Sequence, residues 1–276
     1  MKAPRPANAA IDLRRFNGWL NDFAAYRHSV SQGSIEAWLA QFDPHDRDLG
    51  ARVLDVVEFI GQPQIAAAFR NNLQSIPGWN AVESGRKGKL RFAAYSSSSG
   101  ESGDTMLHQF RLANGLDSKR FKHLFIHRSE LLLQDLGSED TLLLVDDFVG
   151  TGKQVCDAWK DTFAELVAGI GRVYLIVVAA TPRSSERIQT DTDLTLAPSR
   201  WLDESDDLFC ERCRHFSDAE KSRLLKYNKK ADRNNPKGFG ECGLVVVFQH
   251  RCPNDSIPIL HVNNEKWTGL FRRHDL

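Results

Sequence analysis

The sequence predicts an α/β protein with a parallel sheet flanked by helices and a helical lobe at its N-terminus. Apolar runs at 142–145 and 173–180 are continuous rather than alternating, which is typical of strands buried on both faces. Helical patterns separate these runs, as in βαβ units. The chain therefore divides, in this prediction, into a helical lobe (1–85) and an α/β core with a C-terminal extension (86–276).

The N-terminal lobe is predicted from apolar side chains at helical spacing. They are Leu13, Phe16, Trp19, Leu20, Phe23, Ile35, Trp38, Leu39, Val53, Val56, Val57 and Ile60. Ser34 is the predicted cap of the second helix, because its hydroxyl precedes an apolar run. Gly- and Pro-containing stretches at 76–80 and 84–89 then end the helical pattern.

The core is predicted to alternate strands with helices. The predicted strands are 90–95, 124–126, 142–145, 173–180 and 243–250. The predicted helices are 105–116, 130–136 and 155–168. The segments 200–209 and 226–240 are rich in charged and polar residues, so they are predicted as exposed loops or short helices.

Composition excludes several classes of protein. The 276 residues are 41% hydrophobic with a formal net charge of zero, which argues against a chain-wide field for nucleic acid or a membrane surface. No apolar run is long enough to span a bilayer, and residues 1–16 lack the apolar core of a signal peptide. An odd number of cysteines, five, favours a reducing compartment. We therefore expect a cytoplasmic protein.

The stretch "LLLVDDFVGTGKQ" (142–154) predicts a binding site. Asp146 and Asp147 follow a buried strand, and ligands of open α/β sheets bind at that end of the strands. Two adjacent carboxylates favour a ring of hydroxyls or Mg²⁺ as a partner. Gly150, Thr151, Gly152 and Lys153 then lead into a helix, where backbone N–H groups can approach an anion. A ribose diol beside a phosphate describes a phosphoribosyl group.

These residues resemble the motif of type I phosphoribosyltransferases. The resemblance implies that Asp146 and Asp147 hold the ribose hydroxyls of phosphoribosyl pyrophosphate (PRPP) together with Mg²⁺. It implies a 5′-phosphate site made of Val149, Gly150, Thr151, Gly152, Lys153 and Gln154. A pyrophosphate loop made of Ser97, Ser98, Ser99, Gly100, Ser102 and Gly103 is implied as well. Three positions depart from the family's pattern: Phe148 is bulkier, Gly150 replaces a larger residue, and Gln154 stands where Ser or Thr is usual.

A second stretch, "VVVFQHRCPNDSIPIL" (245–260), narrows the resemblance. It is similar to a motif of phosphoribosyltransferase-like proteins in bacterial conflict systems, with Asp255 in place of an Asn. Some of those proteins are effectors of anti-phage retrons. The resemblance implies transfer or cleavage at ribose C1, and a reverse transcriptase with its non-coding RNA and DNA as partner. An oligomer is compatible with it, and no membrane partner is expected.

Other hypotheses remain open on the residues alone. The Asp pair could merely precede a capped helix, and the chain could be a nucleotide-sensing or binding module without turnover. Cys210 and Cys213 have the spacing of half a zinc site, which would suit a nucleic-acid adaptor. Arg128 follows a predicted strand and is a weaker candidate for phosphate. A Walker A loop is rejected, because Asp147 and Gln154 stand where that motif needs Gly and Ser or Thr.

Overall fold

The computed structural model describes residues 11–96 and 102–273, which form two compact units. Unit 1 holds the described residues up to Gln62 and those from Asp203 onward, and unit 2 is Pro63–Leu202. This grouping differs from the predicted lobes at two points. Residues 63–85 belong with the sheet, and the segment after Leu202 belongs with the N-terminal helices.

The elements alternate along the chain as follows. The α-helices are α1 (Leu13–Phe23), α2 (Gln32–Leu39), α3 (Arg47–Val56), α4 (Gln62–Ser75), α5 (Ser102–Ala113), α6 (Lys153–Ala158), α7 (Ala164–Leu166), α8 (Pro182–Asp191) and α9 (Asp218–Ala231). A π-helical turn, Trp159–Phe163, joins α6 to α7. The 3₁₀ turns are Pro44–Asp46, Glu83–Gly85, Lys119–Leu124, Arg128–Leu133, Phe239–Glu241 and Pro258–Leu260. The strands are β1 (Glu58–Ile60), β2 (Leu90–Ala94), β3 (Thr141–Val145), β4 (Phe148–Val149), β5 (Arg172–Ala180), β6 (Thr195–Trp201), β7 (Val246–Phe248), β8 (Asn263–Asn264) and β9 (Trp267–Thr268).

Unit 2 is built on a parallel sheet in the order β2–β3–β5–β6. Its strands are continuous apolar runs, and every residue of β3 is buried. β4 continues the line of β3, because Val145 pairs with Ile176 and Phe148 with Ala179 at the same offset. The Asp pair therefore lies at an interruption in one strand line, directly after β3.

Both faces of this sheet are covered by helices. On one face, Leu142, Leu144 and Leu175 cluster with Phe163 and with Ile188 of α8. On the other face, Phe110 of α5 contacts Phe92 with 5.1 Å between ring centroids, and it contacts Phe69 of α4 at 5.6 Å. The predicted fold class, a parallel sheet flanked by helices, is confirmed.

Unit 1 is a helical unit closed by the C-terminal segment. α1, α2, α3 and α9 enclose a hydrophobic core together with residues of 245–271. β1 pairs in parallel with β7, although about 190 residues separate them. The indole N–H groups of Trp38 and Trp267 both donate to the carbonyl of Ile259, at 2.8 and 2.9 Å. The described residues contain no helix that combines the length and the apolar character needed to cross a membrane.

Several local predictions are wrong. Ser31, not Ser34, caps α2, and Ser34 is the reciprocal partner in the capping box. Ile60 is in β1, because Val57 leaves helical geometry and ends α3. The segment 226–231, predicted as a loop or a short helix, is the end of the 14-residue helix α9, which a capping box of Ser217 and Glu220 starts. An apolar stripe then follows along that helix at Leu224, Tyr227 and Ala231.

Two further elements differ from the predictions. The predicted helix at 130–136 is the 3₁₀ turn Arg128–Leu133. The predicted strand at 124–126 is a single parallel bridge between Phe125 and Phe92. Strand β6 was absent from the sequence prediction, because its residues are exposed or half-buried and lack an apolar run.

Candidate functional site

The site lies at a point where the chain reverses its direction across the sheet of unit 2. The bridge of Phe125 to Phe92 places residue 125 outside β2, and β3 lies on the other side of β2. The order is therefore residue 125, β2, β3, β5 and β6, so the two connections that leave β2 and β3 run in opposite directions. Such a switch point opens a crevice at the carboxyl ends of the two central strands, which is where ligands of open α/β sheets bind. We call it the switch-point crevice.

Asp146 and Asp147 lie at this crevice but in different environments. Asp146 is half-buried, and its Oδ1 accepts hydrogen bonds from Ser102 Oγ at 2.7 Å and from the Asp147 N–H at 2.9 Å. Asp147 is 0% exposed, and its carbonyl accepts the N–H of Val178 at 2.9 Å. Asp146 is thus the carboxylate that an incoming ligand can reach, whereas Asp147 is held inside the strand line.

The hydrogen bond from Ser102 joins the two sides of the crevice. Ser102 begins α5, directly after the segment that follows β2, while Asp146 follows β3. Gly103 fits closely against β2, since a Cβ at that position would lie 2.6 Å from the carbonyl oxygen of Tyr95. Ser97, Ser98, Ser99 and Gly100 of the predicted pyrophosphate loop lie outside the described residues.

The 150–154 loop continues from β4 into α6. The carbonyl of Gly150 accepts Thr181 Oγ1 at 2.5 Å, and the carbonyl of Thr151 accepts Arg187 Nη1 at 3.2 Å. Gly152 has a φ of +74°, so the turn requires the left-handed conformation that glycine adopts readily. Gly152, at the N-cap position, has no side chain that could cap α6, and the N–H of Lys153 donates to Thr151 Oγ1 instead. The start of a helix offers backbone N–H groups to an anion.

The remaining residues of the predicted phosphate site differ in their orientation. The Lys153 ammonium pairs with Asp157 along the exposed face of α6, and the Lys153 N–H donates to Thr151 Oγ1 at 3.3 Å. Gln154 is exposed. Val149 packs in the hydrophobic cluster, and its carbonyl accepts the Thr181 N–H at 3.1 Å. The loop thus offers backbone groups first, and the lysine would have to leave Asp157 to reach a phosphate.

Tyr95 connects the end of β2 to α6. Its hydroxyl donates to the carbonyl of Val155 at 2.6 Å, and its ring stacks on Phe163 with 4.6 Å between centroids. Burial, with the nearby Cys156 and Asp146, raises the pKa of Tyr95, so the phenol remains a hydrogen-bond donor. Tyr95 therefore ties the end of β2 to the helical segment that follows the 150–154 loop.

Arg128 extends the site along the same edge of the sheet. It follows the bridge at Phe125, and its guanidinium donates to the carbonyl of Ser96, the last described residue before the Ser-rich segment. A small cavity of about 50 Å³ lies here and is lined by Ala94, Ser96, Asp104, Leu107, Ile126, His127 and Arg128. A cation bound to Ser96 adds positive charge at the carboxyl end of β2, on the predicted pyrophosphate side of the crevice.

Sequence reasoning missed Tyr95, Thr181 and Arg187. Thr181 directly follows β5, so the rule that sites form at the carboxyl ends of strands could have found it. Arg187 carries no such signal, because it lies one turn inside α8 and reaches Thr151 only through the three-dimensional fold.

The cysteine pair does not form a metal centre among the described residues. Cys210, which is half-buried, and Cys213, which is buried, are both free thiols. Where the structure is described, the one group of three potential ligands within coordinating distance is Asp43, His45 and Asp46. The carboxylate of Asp46 in that group is already engaged by Arg223 and by the Tyr227 hydroxyl.

The motif at 250–258 has structural roles in unit 1. Cys252 is fully buried, and the Ser256 hydroxyl donates to the carbonyl of Val246 at 2.7 Å. The N–H of Ile257 donates to the carbonyl of Leu244 at 2.8 Å. These bonds fold the proline-punctuated turn back onto β7.

The fold and the crevice define a phosphoribosyltransferase-like α/β protein. The chain belongs to the PRTase-CE family, whose model matches residues 35–273. The match spans both the Asp-pair motif and the motif at 250–258.

Solved structures with similarity to this chain share little sequence with it. The AQ2163 protein from Aquifex aeolicus is 10% identical over 62% of this chain and 83% of its own, with a TM-score of 0.33. Orotate phosphoribosyltransferase from Aeropyrum pernix is 12% identical over 72% and 81%, with a TM-score of 0.28. TT1426 from Thermus thermophilus is 22% identical over 34% and 43%, with a TM-score of 0.19. No curated protein matches the chain.

Proposed function

We propose that this protein binds PRPP or a related ribose phosphate, with Mg²⁺, in the switch-point crevice and transfers or cleaves at ribose C1. The observation that carries the proposal is the joining of Asp146 to Ser102 across the carboxyl ends of β2 and β3. This contact brings the predicted ribose site and the start of α5 together at the place where open α/β sheets bind ligands.

Each part of PRPP has a partner in this proposal. Asp146 accepts hydrogen bonds from the ribose hydroxyls, and the 150–154 loop with the start of α6 holds the 5′-phosphate. Ser102 and Gly103, together with Ser97, Ser98, Ser99 and Gly100, take the pyrophosphate. Arg128, beside Ser96, contributes positive charge to that end.

The donor set fits Mg²⁺ bound mainly through the substrate. This ion prefers one or two carboxylates together with phosphate oxygens and waters. Asp146 offers a half-buried carboxylate, whereas the carboxylate of Asp147 is fully buried. Bound Mg²⁺ would neutralise charge on the departing pyrophosphate.

The reaction exchanges one bond at C1 for another. The C1–O bond to pyrophosphate breaks, and pyrophosphate leaves with the electron pair. A nucleophilic acceptor, or water in a cleavage reaction, forms the new bond and gives up its proton to solvent or to the leaving group. The chain's residues contribute by positioning the ribose and by stabilising negative charge on the leaving group.

A binding module without turnover is the second candidate. The pairing of Lys153 with Asp157 and the exposed Gln154 favour it, because neither side chain is placed to hold the phosphate. Such a module would sense a nucleotide and assemble with a reverse transcriptase–DNA complex. In either form, the resemblance at 245–260 supports a role as a retron effector in anti-phage defence.

Calorimetric titration with PRPP and Mg²⁺ tests the proposal. Saturable binding to the wild type is expected to weaken at least about tenfold in Asp146→Asn, because a charged hydrogen-bond acceptor is lost. Asp161→Asn is the matched control, since Asp161 is exposed on the π-helical turn. Binding that is equal in wild type and Asp146→Asn would exclude the proposed ribose site. Pyrophosphate release on addition of candidate acceptors or in buffer alone separates the enzyme from the binding module.

A further inference from the structure

Unit 1 contains a cavity of about 380 Å³ that the proposed function does not use. It is large enough for a small molecule, since ligand pockets begin at about 300 Å³. Six of its ten lining residues are polar or charged, and they include Asn235, Asn254, His261, Asn263 and Arg273, while Phe239 and other residues add apolar surface. Asn254 belongs to the motif at 250–258, so part of that motif faces this cavity.

Arg273 gives the cavity a cation with unused hydrogen-bonding capacity. Its Nε is buried and has no hydrogen-bond acceptor in the described part of the chain. Burial, followed by the nearby Arg251, lowers the pKa of Arg273, although its guanidinium remains charged at neutral pH. A buried donor without an acceptor is costly, and an oxyanion is the natural partner of a guanidinium.

His261 and Asp232 line the same cavity and offer hydrogen-bond acceptors, in contrast to the donor Arg273. His261 Nε2 lies 3.2 Å from the carbonyl of Ser256 and must donate to it, so Nδ1 carries the lone pair. Burial and the neighbouring Arg273 lower the pKa of His261 to about 4, which keeps the ring neutral. Asp232 accepts the backbone N–H groups of Asn234 and Asn235 and remains a negative group in the wall. These two residues favour a ligand with N–H or O–H donors.

Phe239 adds a planar apolar surface. It lines the cavity with 37% of its surface exposed, and its N–H donates to the carbonyl of Asn254 at 2.7 Å. Gly238 precedes it with a φ of +81°, and a Cβ there would lie 2.4 Å from the carbonyl oxygen of Asp255. The turn that presents the ring is therefore held against the motif at 250–258. A ring of this kind stacks on nucleobases.

We infer that this cavity binds a nucleoside monophosphate group, with its phosphate at Arg273 and its base against Phe239. Asn235 donates one amide N–H to Asp232, and Asn263 Oδ1 accepts the N–H of Gly269. The remaining donors and acceptors of these amides, with those of Asn254, can meet a base edge. Lys230 and Arg233 are exposed on α9 and the following loop, and they raise the local concentration of phosphates. The group is either a free nucleotide or the 5′-phosphorylated end of a nucleic-acid strand, which share this chemistry.

The test is calorimetric titration of the full chain with the four ribonucleoside 5′-monophosphates, the matching nucleosides, and a 5′-phosphorylated single-stranded tetranucleotide. At least one monophosphate is expected to bind saturably and more tightly than its nucleoside. Arg273→Gln is expected to weaken it at least about tenfold, since a charged hydrogen bond is lost. Arg272→Gln is the matched control, because the neighbouring Arg272 is exposed, and it should bind as the wild type does.

The outcomes separate the alternatives. Tighter binding of the tetranucleotide than of any monophosphate would assign the site to a strand end, and equal or weaker binding would assign it to a free nucleotide. Binding that persists in Asp146→Asn would separate this site from the switch-point crevice. If circular dichroism shows that Arg273→Gln does not fold, Arg273→Lys and Phe239→Ala replace it in the same titration, and both are expected to bind the monophosphate more weakly than the wild type. No binding by the wild type, or equal binding by the folded cavity variants, would overturn the inference.

Discussion

Substitution of Gly103 by Ala tests whether the start of α5 is positioned by contact with β2. A Cβ at Gly103 would lie 2.6 Å from the Tyr95 carbonyl oxygen and 3.0 Å from its carbon. Contacts this short force a backbone shift of several tenths of an ångström, and overpacking costs about 1–3 kcal/mol. Helix propensity acts in the opposite direction, because Ala is favoured over Gly by about 1 kcal/mol within a helix. The net expectation is a loss of up to about 2 kcal/mol in the free energy of unfolding.

Urea unfolding followed by circular dichroism measures this loss. Gly137→Ala is the control, because a Cβ there would meet no atom within 4 Å, and its effect should stay within about 0.5 kcal/mol. The same shift should lengthen the contact of Ser102 with Asp146 and weaken PRPP binding. If Gly103→Ala is more stable than the wild type, propensity has outweighed the contact, and the argument from close approach to Tyr95 is refuted.

Two further predictions concern unit 1. Asp55→Ala should lower the free energy of unfolding by about 2–3 kcal/mol in urea titrations, because hydrogen bonds to a charged group are lost. Arg15, 3% exposed, would lose its partner at 2.7 Å and keep Asp48 at 3.0 Å, and an unchanged midpoint would contradict this. His261, whose pKa burial lowers to about 4 from 6.5, should bind a proton more readily in the unfolded chain between those values. The contribution of the neutral His261 to the free energy of unfolding, up to roughly 3 kcal/mol, is therefore complete above pH 6.5 and is lost as the pH falls towards 4. The stability of His261→Gln should depend less steeply on pH than that of the control His108→Gln.

The sheet of unit 2 was predictable because burial on both faces leaves a direct mark on the sequence. β3 and β5 are continuous apolar runs, and Asp146 follows β3 as a polar residue must at the edge of such a sheet. The fold class follows from these runs alone. The placement of the Asp pair near the carboxyl ends of the strands followed from the same pattern.

The rest depends on contacts that leave little local signal. β1 and β7 are three residues each, so their pairing could not be predicted from periodicity. Without this pairing, the grouping of the C-terminal segment with the N-terminal helices could not be predicted either. The contact of Ser102 with Asp146 joins residues 44 apart in the chain. Lys153 and Asp157 have the i,i+4 spacing of an ordinary helical ion pair. The sequence prediction assigned Lys153 to the phosphate site because of the resemblance, and it did not consider this pair.

Hydrogen–deuterium exchange of the full chain with and without PRPP and Mg²⁺ tests the central claim most directly, because it locates the ligand. The account predicts slower exchange in peptides that cover 146–154, where backbone N–H groups of the loop and of α6 would bind the phosphate. Asp146→Asn should reduce this protection at the same ligand concentration. Unchanged exchange at saturating ligand, or protection confined to peptides from 232–263, would contradict the assignment of the switch-point crevice as the ribose-phosphate site.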